Sequence, residues 1–172
     1  MRNLQRWSIL LAFVVGIFGC TQKSTSGFKP NSEPDGFAGI KWETEFSEVK
    51  SDMVESRSVA DPTQPDAKTK IYYTKKGDNL KMGEAQLDKF EYGFWKGKFS
   101  DVQITTTGPE NFNHLKEFLF EKYGTVDKPA QGLYPWNGSV TRIALRYDEP
   151  TKTSLLTISS TKLTFKEIFD KD

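Results

Sequence analysis

The sequence predicts an α+β domain of two layers, with helices packed on an antiparallel sheet, and three features carry that expectation. Residues 108–124 have the spacing and both end signals of an amphipathic helix. Several other segments alternate apolar and polar residues with period two, the repeat of a strand with one face buried. The turns between them are short and contain glycine, at Lys96-Gly97 and Asn137-Gly138, as antiparallel hairpins require.

Taken in order, Thr44 is a residue type that caps helices, and Phe46, Val49 and Met53 recur at three and four residues, so a short helix is expected from Glu45 to about Ser56. Asp61 to Asp66 holds two prolines and predicts a surface loop. Strand-like pieces follow at Lys70–Thr74, Leu80–Met82 and Gln86–Trp95, and in the last of these Phe90, Tyr92 and Phe94 alternate with Lys89 and Glu91. Lys96-Gly97 turns the chain into Lys98–Thr107. The second helix starts at Gly108-Pro109-Glu110, keeps Phe112, Leu115, Leu119 and Tyr123 on one face, and meets Gly124 where a C-terminal cap belongs. Asn137-Gly138 then predicts a two-residue turn into Ser139–Tyr147, a turn at Asp148–Lys152 leads to a last strand at Thr153–Ser160, and Thr164–Phe169 is expected as a closing helical turn.

The two hairpins echo each other. Trp95, Gly97, Phe99, Val102 and Ile104 match Trp136, Gly138, Val140, Ile143 and Leu145 at an offset of 41 residues. In both, the apolar spacing slips from three to two, and a bulge after the first apolar residue would restore the inward face. Two helix-then-antiparallel-hairpin units are the expected architecture, with duplication and chance similarity of aromatic hairpins as the two explanations of the echo.

Hydrophobic residues make up 36% of the 172 and aromatics 13%, so large rings supply much of the buried area. Met1–Arg6 carries two arginines, and Trp7–Phe18 is an uncharged apolar run that ends at Gly19 and Cys20. This is the pattern of a secretory signal, and twelve residues are too few to span a bilayer, which takes about 20. Without Arg2 and Arg6, 22 of the 24 basic residues remain against 23 acidic ones, a net charge of −1. That balance excludes the basic excess that nucleic-acid binding requires. Cys20 is the only cysteine, so the domain beyond it has no disulfide.

Ile17-Phe18-Gly19-Cys20 resembles the lipobox of bacterial lipoproteins, an aliphatic residue three before the cysteine and a small one directly before it. Phe18 departs from the small residues common at its place. The resemblance implies cleavage between Gly19 and Cys20, a diacylglyceryl thioether on the Cys20 sulfur, and acylation of the new amino group with palmitate-type chains, two or more of which hold a protein stably on a membrane. The alternative is an ordinary leader ending in a free cysteine, or an N-terminal membrane helix. On the lipoprotein reading the chain divides into a cleaved signal over 1–19, a lipidated cysteine and flexible tether over 20–36, rich in Ser, Thr, Gly and Pro, and a single α+β domain over 37–172 that contains the tandem of 37–107 and 108–172. The absence of Asp at Thr21 resembles diderm lipoproteins sent to the outer membrane, which implies a periplasm-facing location there. The helix-then-meander order resembles the fold shared by the β-lactamase inhibitor protein and the small lipoprotein of outer-membrane barrel assembly. Gly39-Ile40-Lys41-Trp42 through Glu48-Val49-Lys50 is similar to the start of uncharacterised envelope lipoproteins.

No catalytic constellation, cofactor motif or metal set stands out. His114 is the only histidine and a surface helix position is expected for it. Asp101, Asp148 and Glu149 lie near turns, where carboxylates are commonly solvated. Lys75, Lys76, Lys96 and Lys98 sit on or beside turns and are expected to solvate sheet ends. Trp42, Tyr72, Tyr73 and Tyr134 are the candidate binding-surface aromatics, against core packing as the other use of such rings. The expected function is therefore a non-catalytic binding module tethered to the membrane, with an envelope protein or cell-wall component as partner, no nucleic acid and no metal. The alternatives are an envelope hydrolase using carboxylates and a carrier of an apolar ligand.

Overall fold

A computed structural model describes residues 27–60, 68–126, 129 and 131–169. Short strands β1 (Gly36–Phe37) and β2 (Ile40–Lys41) pair first, followed by a single helical turn α1 (Phe46–Val49) that continues as a 3-10 turn to Asp52. Then come β3 (Met53–Ala60), β4 (Lys68–Lys75), the small pair β5 (Lys81–Met82) and β6 (Ala85–Gln86), β7 (Lys89–Trp95) and β8 (Lys98–Thr107). The long helix α2 (Pro109–Tyr123) precedes β9 (Leu133–Asn137), β10 (Thr141–Asp148) and β11 (Thr153–Ser160), and α3 (Thr161–Phe169) closes the described chain. Seven strands form one antiparallel sheet in the order β3-β4-β7-β8-β11-β10-β9. The mixed α and β composition and the dominant antiparallel sheet match the sequence expectation.

The core lies between α2 and one sheet face. Phe112, Leu115 and Leu119 pack on Tyr92, Phe99, Val102, Ile104, Ile143, Leu145, Leu156 and Ile158. Pro109 opens α2, and Gly124, at φ 99°, donates its N–H to the Phe120 carbonyl to end it. The Lys96-Gly97 turn has positive φ at both residues, 47° and 81°, the primed geometry that fits the twist of the flanking strands. The anticipated bulge is present in β8. Gly93 pairs with Asp101 and Phe94 with Phe99, so Ser100 is the extra residue, and both Phe99 and Val102 are fully buried.

Three local expectations are corrected. The first helix stops at Val49 instead of running toward Ser56, and Met53–Ala60 is a strand. One turn already seats Phe46 against Tyr73 and Phe94, and pairing with β4 then outweighs a weak helical repeat. The second correction concerns Asn137-Gly138, which is not a two-residue turn. Asn137 pairs with Arg142 across a wider loop, Gly138 does not have positive φ, and Val140 lies outside the strand, so β10 needs no bulge. Last, the stretch read as a tether is docked over its second half. Phe28 meets Tyr123 edge-on at 5.6 Å, Lys29 donates its N–H to the Tyr123 carbonyl at 2.8 Å, and the Glu33 carboxylate accepts the N–H groups of Val140 and Thr141 at 2.6 and 2.8 Å. Its polar composition cannot build a core of its own, but one ring and one carboxylate borrow the domain's. Gly19 and Cys20, and with them the expected signal and lipidation site, lie outside the described residues.

Candidate functional site

With α2 on one face, the other face of the sheet is left to α3 and to solvent. Side-chain alternation puts Lys70 and Tyr72 of β4, Glu91 and Gly93 of β7, Asp101 and Gln103 of β8, and Arg57 of β3 on this second face. They form one closed network. Lys70 Nζ lies 2.8 Å from Asp101 Oδ1 and 2.7 Å from Glu167 Oε2 of α3. Ser100 Oγ donates to Asp101 Oδ1, and Gly93 provides the room, since a Cβ there would come within 2.6 Å of the same oxygen. On the other side of Tyr72, the Arg57 guanidinium stacks on the ring at 3.5 Å, bridges to Glu91 at 3.3 Å and donates to Gln103 Oε1 at 2.8 Å. Gln103 Nε2 donates to the Tyr72 hydroxyl, and Ser56 Oγ and Lys89 Nζ both reach Glu91 Oε1.

The electrostatics follow from this closure. Burial, the largest single effect, would lower the Lys70 pKa, but the Asp101 charge, the Tyr72 oxygen and the hydrogen bonds to Asp101 and Glu167 together outweigh it and hold the ammonium above the ordinary lysine value. Burial pushes the Tyr72 phenol up, and the Asp101 charge adds to that. For Glu91 burial works upward, yet the hydrogen bonds from Lys89 and Ser56 and the Arg57 charge keep its carboxyl below the usual range. Such a network is a satisfied structural unit. Asp101, one of the carboxylates a hydrolase would need, is 3% exposed and fully engaged. Asp148 is used to hold Thr151 through its N–H and its hydroxyl in the turn before β11. His114 is half-exposed on α2, and no group of three His, Cys, Asp or Glu suited to a metal occurs among the described residues.

The β9-β10-β11 third of the same face is open. Its outward residues include Leu133 and Pro135 of β9, Arg142, Ala144 and Arg146 of β10, and Leu155 and Thr157 of β11. Two surface grooves run here. One of about 380 Å³ is lined by Asp88, Thr105, Arg146, Asp148, Thr153, Ser154 and Leu155; the other, of about 230 Å³, is lined by residues that include Leu133, Pro135, Arg142, Ala144, Thr157 and Thr164. Leu133 is 37% and Leu155 40% exposed, and Arg146 makes no ion pair among the described residues. β9 is an edge strand, so one side of its backbone has no strand partner among the described residues. Apolar side chains lie here beside two exposed arginines, of which Arg142 donates from Nε to Asn137 Oδ1 at 3.3 Å, and such a surface suits recognition of another chain.

The candidate aromatics are placed elsewhere. Trp42 is buried, stacks on Phe99 at 4.9 Å and donates Nε1–H to Thr141 Oγ1. Tyr73 is buried between Phe46 and Phe94, and Tyr72 lies beneath Arg57. Tyr134 is half-buried against Phe112 and Phe120. These rings are used for packing, which corrects the binding-surface expectation for Trp42, Tyr72 and Tyr73. The residues that sequence reasoning passed over, Arg142 and Arg146, were signalled by the alternation with Ile143 and Leu145 in Thr141–Asp148.

No helix of the described residues is long and apolar enough to cross a membrane. No protein-family model, curated protein or solved structure matches the chain.

Proposed function

We propose that the chain is a lipid-anchored envelope protein whose folded domain is a non-catalytic module that binds another envelope protein through the open β9-β10-β11 face. Lipidation at Cys20 is supported by the sequence at the leader junction, Ile17-Phe18-Gly19-Cys20. The binding role is supported by one contrast within a single sheet face. Its β3-β4-β7-β8 side is sealed by a satisfied ionic network, whereas its β9-β10-β11 side leaves Leu133, Leu155 and Arg146 exposed, Arg146 with no ion pair among the described residues, beside the edge strand β9. The tandem of two helix-then-hairpin units belongs to the same proposal. It is supported by β8 and β11, which end the two strand series and pair antiparallel at the sheet centre, although the 41-residue echo equates β8 with β10 instead.

A photo-crosslinking residue at Leu155 tests the binding role in cells. The expected result is a discrete protein adduct that disappears when Arg146→Glu is added. Correctly localised protein that gives no adduct overturns the reading, and an adduct with wall material moves the partner to the cell wall. Mass spectrometry of the protein recovered from membranes tests the anchor, with an acylated N-terminal Cys20 expected and an unmodified sulfur overturning it.

A further inference from the structure

The docked N-terminal segment and α3 meet at one point. Glu33 caps the loop after β9 through the N–H groups of Val140 and Thr141, and the Phe28 ring approaches Gly138 of that loop. The same loop holds the start of α3, because Thr161 donates its N–H to the Val140 carbonyl at 2.9 Å and its hydroxyl to the Gly138 carbonyl. From there α3 crosses the end of the second sheet face. Leu163 and Glu167, four residues apart, point at the sheet, the first buried and the second bonded to Lys70. Phe165, Ile168 and Phe169 form the opposite stripe and are 50, 52 and 71% exposed, with the two phenyl rings stacked at 6.1 Å.

We infer that this outward stripe of α3 lies on the bilayer that holds the Cys20 anchor and fixes the domain's orientation there, an inference that rests on the lipoprotein reading above. Chain length is the first support. Docking from Phe28 onward leaves seven residue steps between Cys20 and Gly27, which span at most about 25 Å, so the loop-and-α3 end of the domain stays next to the membrane. The size of the patch is the second. Three partly exposed side chains amount to roughly 300 Å², well short of the about 800 Å² per side that a stable protein interface buries. A bilayer has no such threshold, and a protein already tethered needs only a few apolar side chains to settle at the headgroup boundary. The stripe also has the chemistry of an interfacial helix, with Lys166 exposed between the two phenylalanines to meet lipid phosphates.

The test uses the full chain purified from membranes and reconstituted into phosphatidylethanolamine–phosphatidylglycerol vesicles, with acylation of Cys20 verified by mass. Ile168→Cys then supplies the single free thiol for an environment-sensitive fluorophore. Lys76→Cys, beyond the opposite end of β4, serves as the reference site. Lipids carrying quenchers on their acyl chains are expected to quench the label at 168 several-fold more than the label at 76, and Phe165→Ser with Phe169→Ser is expected to abolish the difference. Equal quenching on an acylated protein overturns this inference alone. A label at 168 protected from both lipid and aqueous quenchers overturns it in favour of a second copy of the chain. An unmodified Cys20 overturns the anchor and this inference together.

Discussion

A Cβ on Gly138 would lie 2.0 Å from Glu33 Oε1, so the glycine is there to admit a carboxylate and not to supply an unusual backbone angle. Through that contact a residue of the N-terminal segment satisfies two N–H groups of a loop more than a hundred positions away. Gly138→Ala is expected to expel Glu33 and cost about 1–3 kcal/mol, the price of a charge-assisted pair of bonds, and Glu33→Ala about the same. The double variant is expected to cost less than the sum of the single ones, because both remove the Glu33 contact, although the new methyl also meets the Phe28 ring at 2.8 Å. Thermal or denaturant unfolding of the four proteins measures this, and simple additivity would show that the contact carries no coupling.

The Lys70–Asp101 pair gives a sharper contrast between breaking a buried ion pair and replacing it. Lys70→Met leaves the Asp101 carboxylate buried without its cation and is expected to cost about 3–5 kcal/mol. Lys70→Met combined with Asp101→Leu is expected to recover most of that, as buried pairs exchanged for packed apolar groups commonly do. Because the Lys70 pKa is raised in the fold, its contribution is complete below the ordinary lysine value and is lost only as the pH climbs toward the raised one. Unfolding curves at neutral pH and at strongly alkaline pH test both points: the Lys70→Met penalty persists at neutral pH and shrinks at the alkaline end.

Glu91 predicts the opposite pH dependence. Its carboxyl is held low by Lys89, Ser56 and Arg57 against the effect of burial, so its contribution is complete above the ordinary glutamate value and disappears as the pH falls through the lowered one. Glu91→Gln is therefore expected to be less stable than the wild type at neutral pH and to lose less stability on acidification. Parallel acid-unfolding profiles for the two proteins would remove Glu91 from the account.

Much of this architecture is legible residue by residue. The three-then-two spacing of Phe99, Val102 and Ile104 encodes a bulge because a strand must return its apolar residues to one face, and Ser100 is that bulge. Lys96-Gly97 and the Gly108-to-Gly124 helix are read from local chemistry that acts within a few residues. What escapes is decided by partners far away in sequence. Asn137-Gly138 has the composition of a tight turn, but Glu33 holds the loop open. Met53 continues a helical repeat from Phe46 and Val49, but β4 pairs with it. Tyr72 looks like a surface ring until Arg57, fifteen residues distant and paired with it across two strands, covers it. The open face was legible in part, since Arg142 and Arg146 alternate with core residues, whereas the exposed edge of β9 depends on strand order, which no local pattern specifies.

Asp78 and Tyr92 supply a last prediction, one in which a substitution stabilises. The Tyr92 hydroxyl donates to Asp78 Oδ1 at 3.0 Å, while Oδ2 is buried with no hydrogen-bond partner among the described residues. Burial raises the Asp78 pKa, and the Tyr92 bond and the Lys75 charge offset this only in part. A carboxyl with a raised pKa costs stability above that pKa, and the cost fades as the pH falls and the group protonates. Asp78→Asn keeps an acceptor for the Tyr92 hydroxyl and removes the charge, so it is expected to raise the unfolding temperature at neutral pH and to lose that advantage in acid. Tyr92→Phe does the reverse: it strips the carboxylate of its donor and is expected to cost about 1–3 kcal/mol at neutral pH, less once Asp78 is protonated. Melting curves of both variants across the carboxylate titration range decide the matter, and an Asp78→Asn protein that is less stable at neutral pH would mean that the charge is worth more to Lys75 than its burial costs.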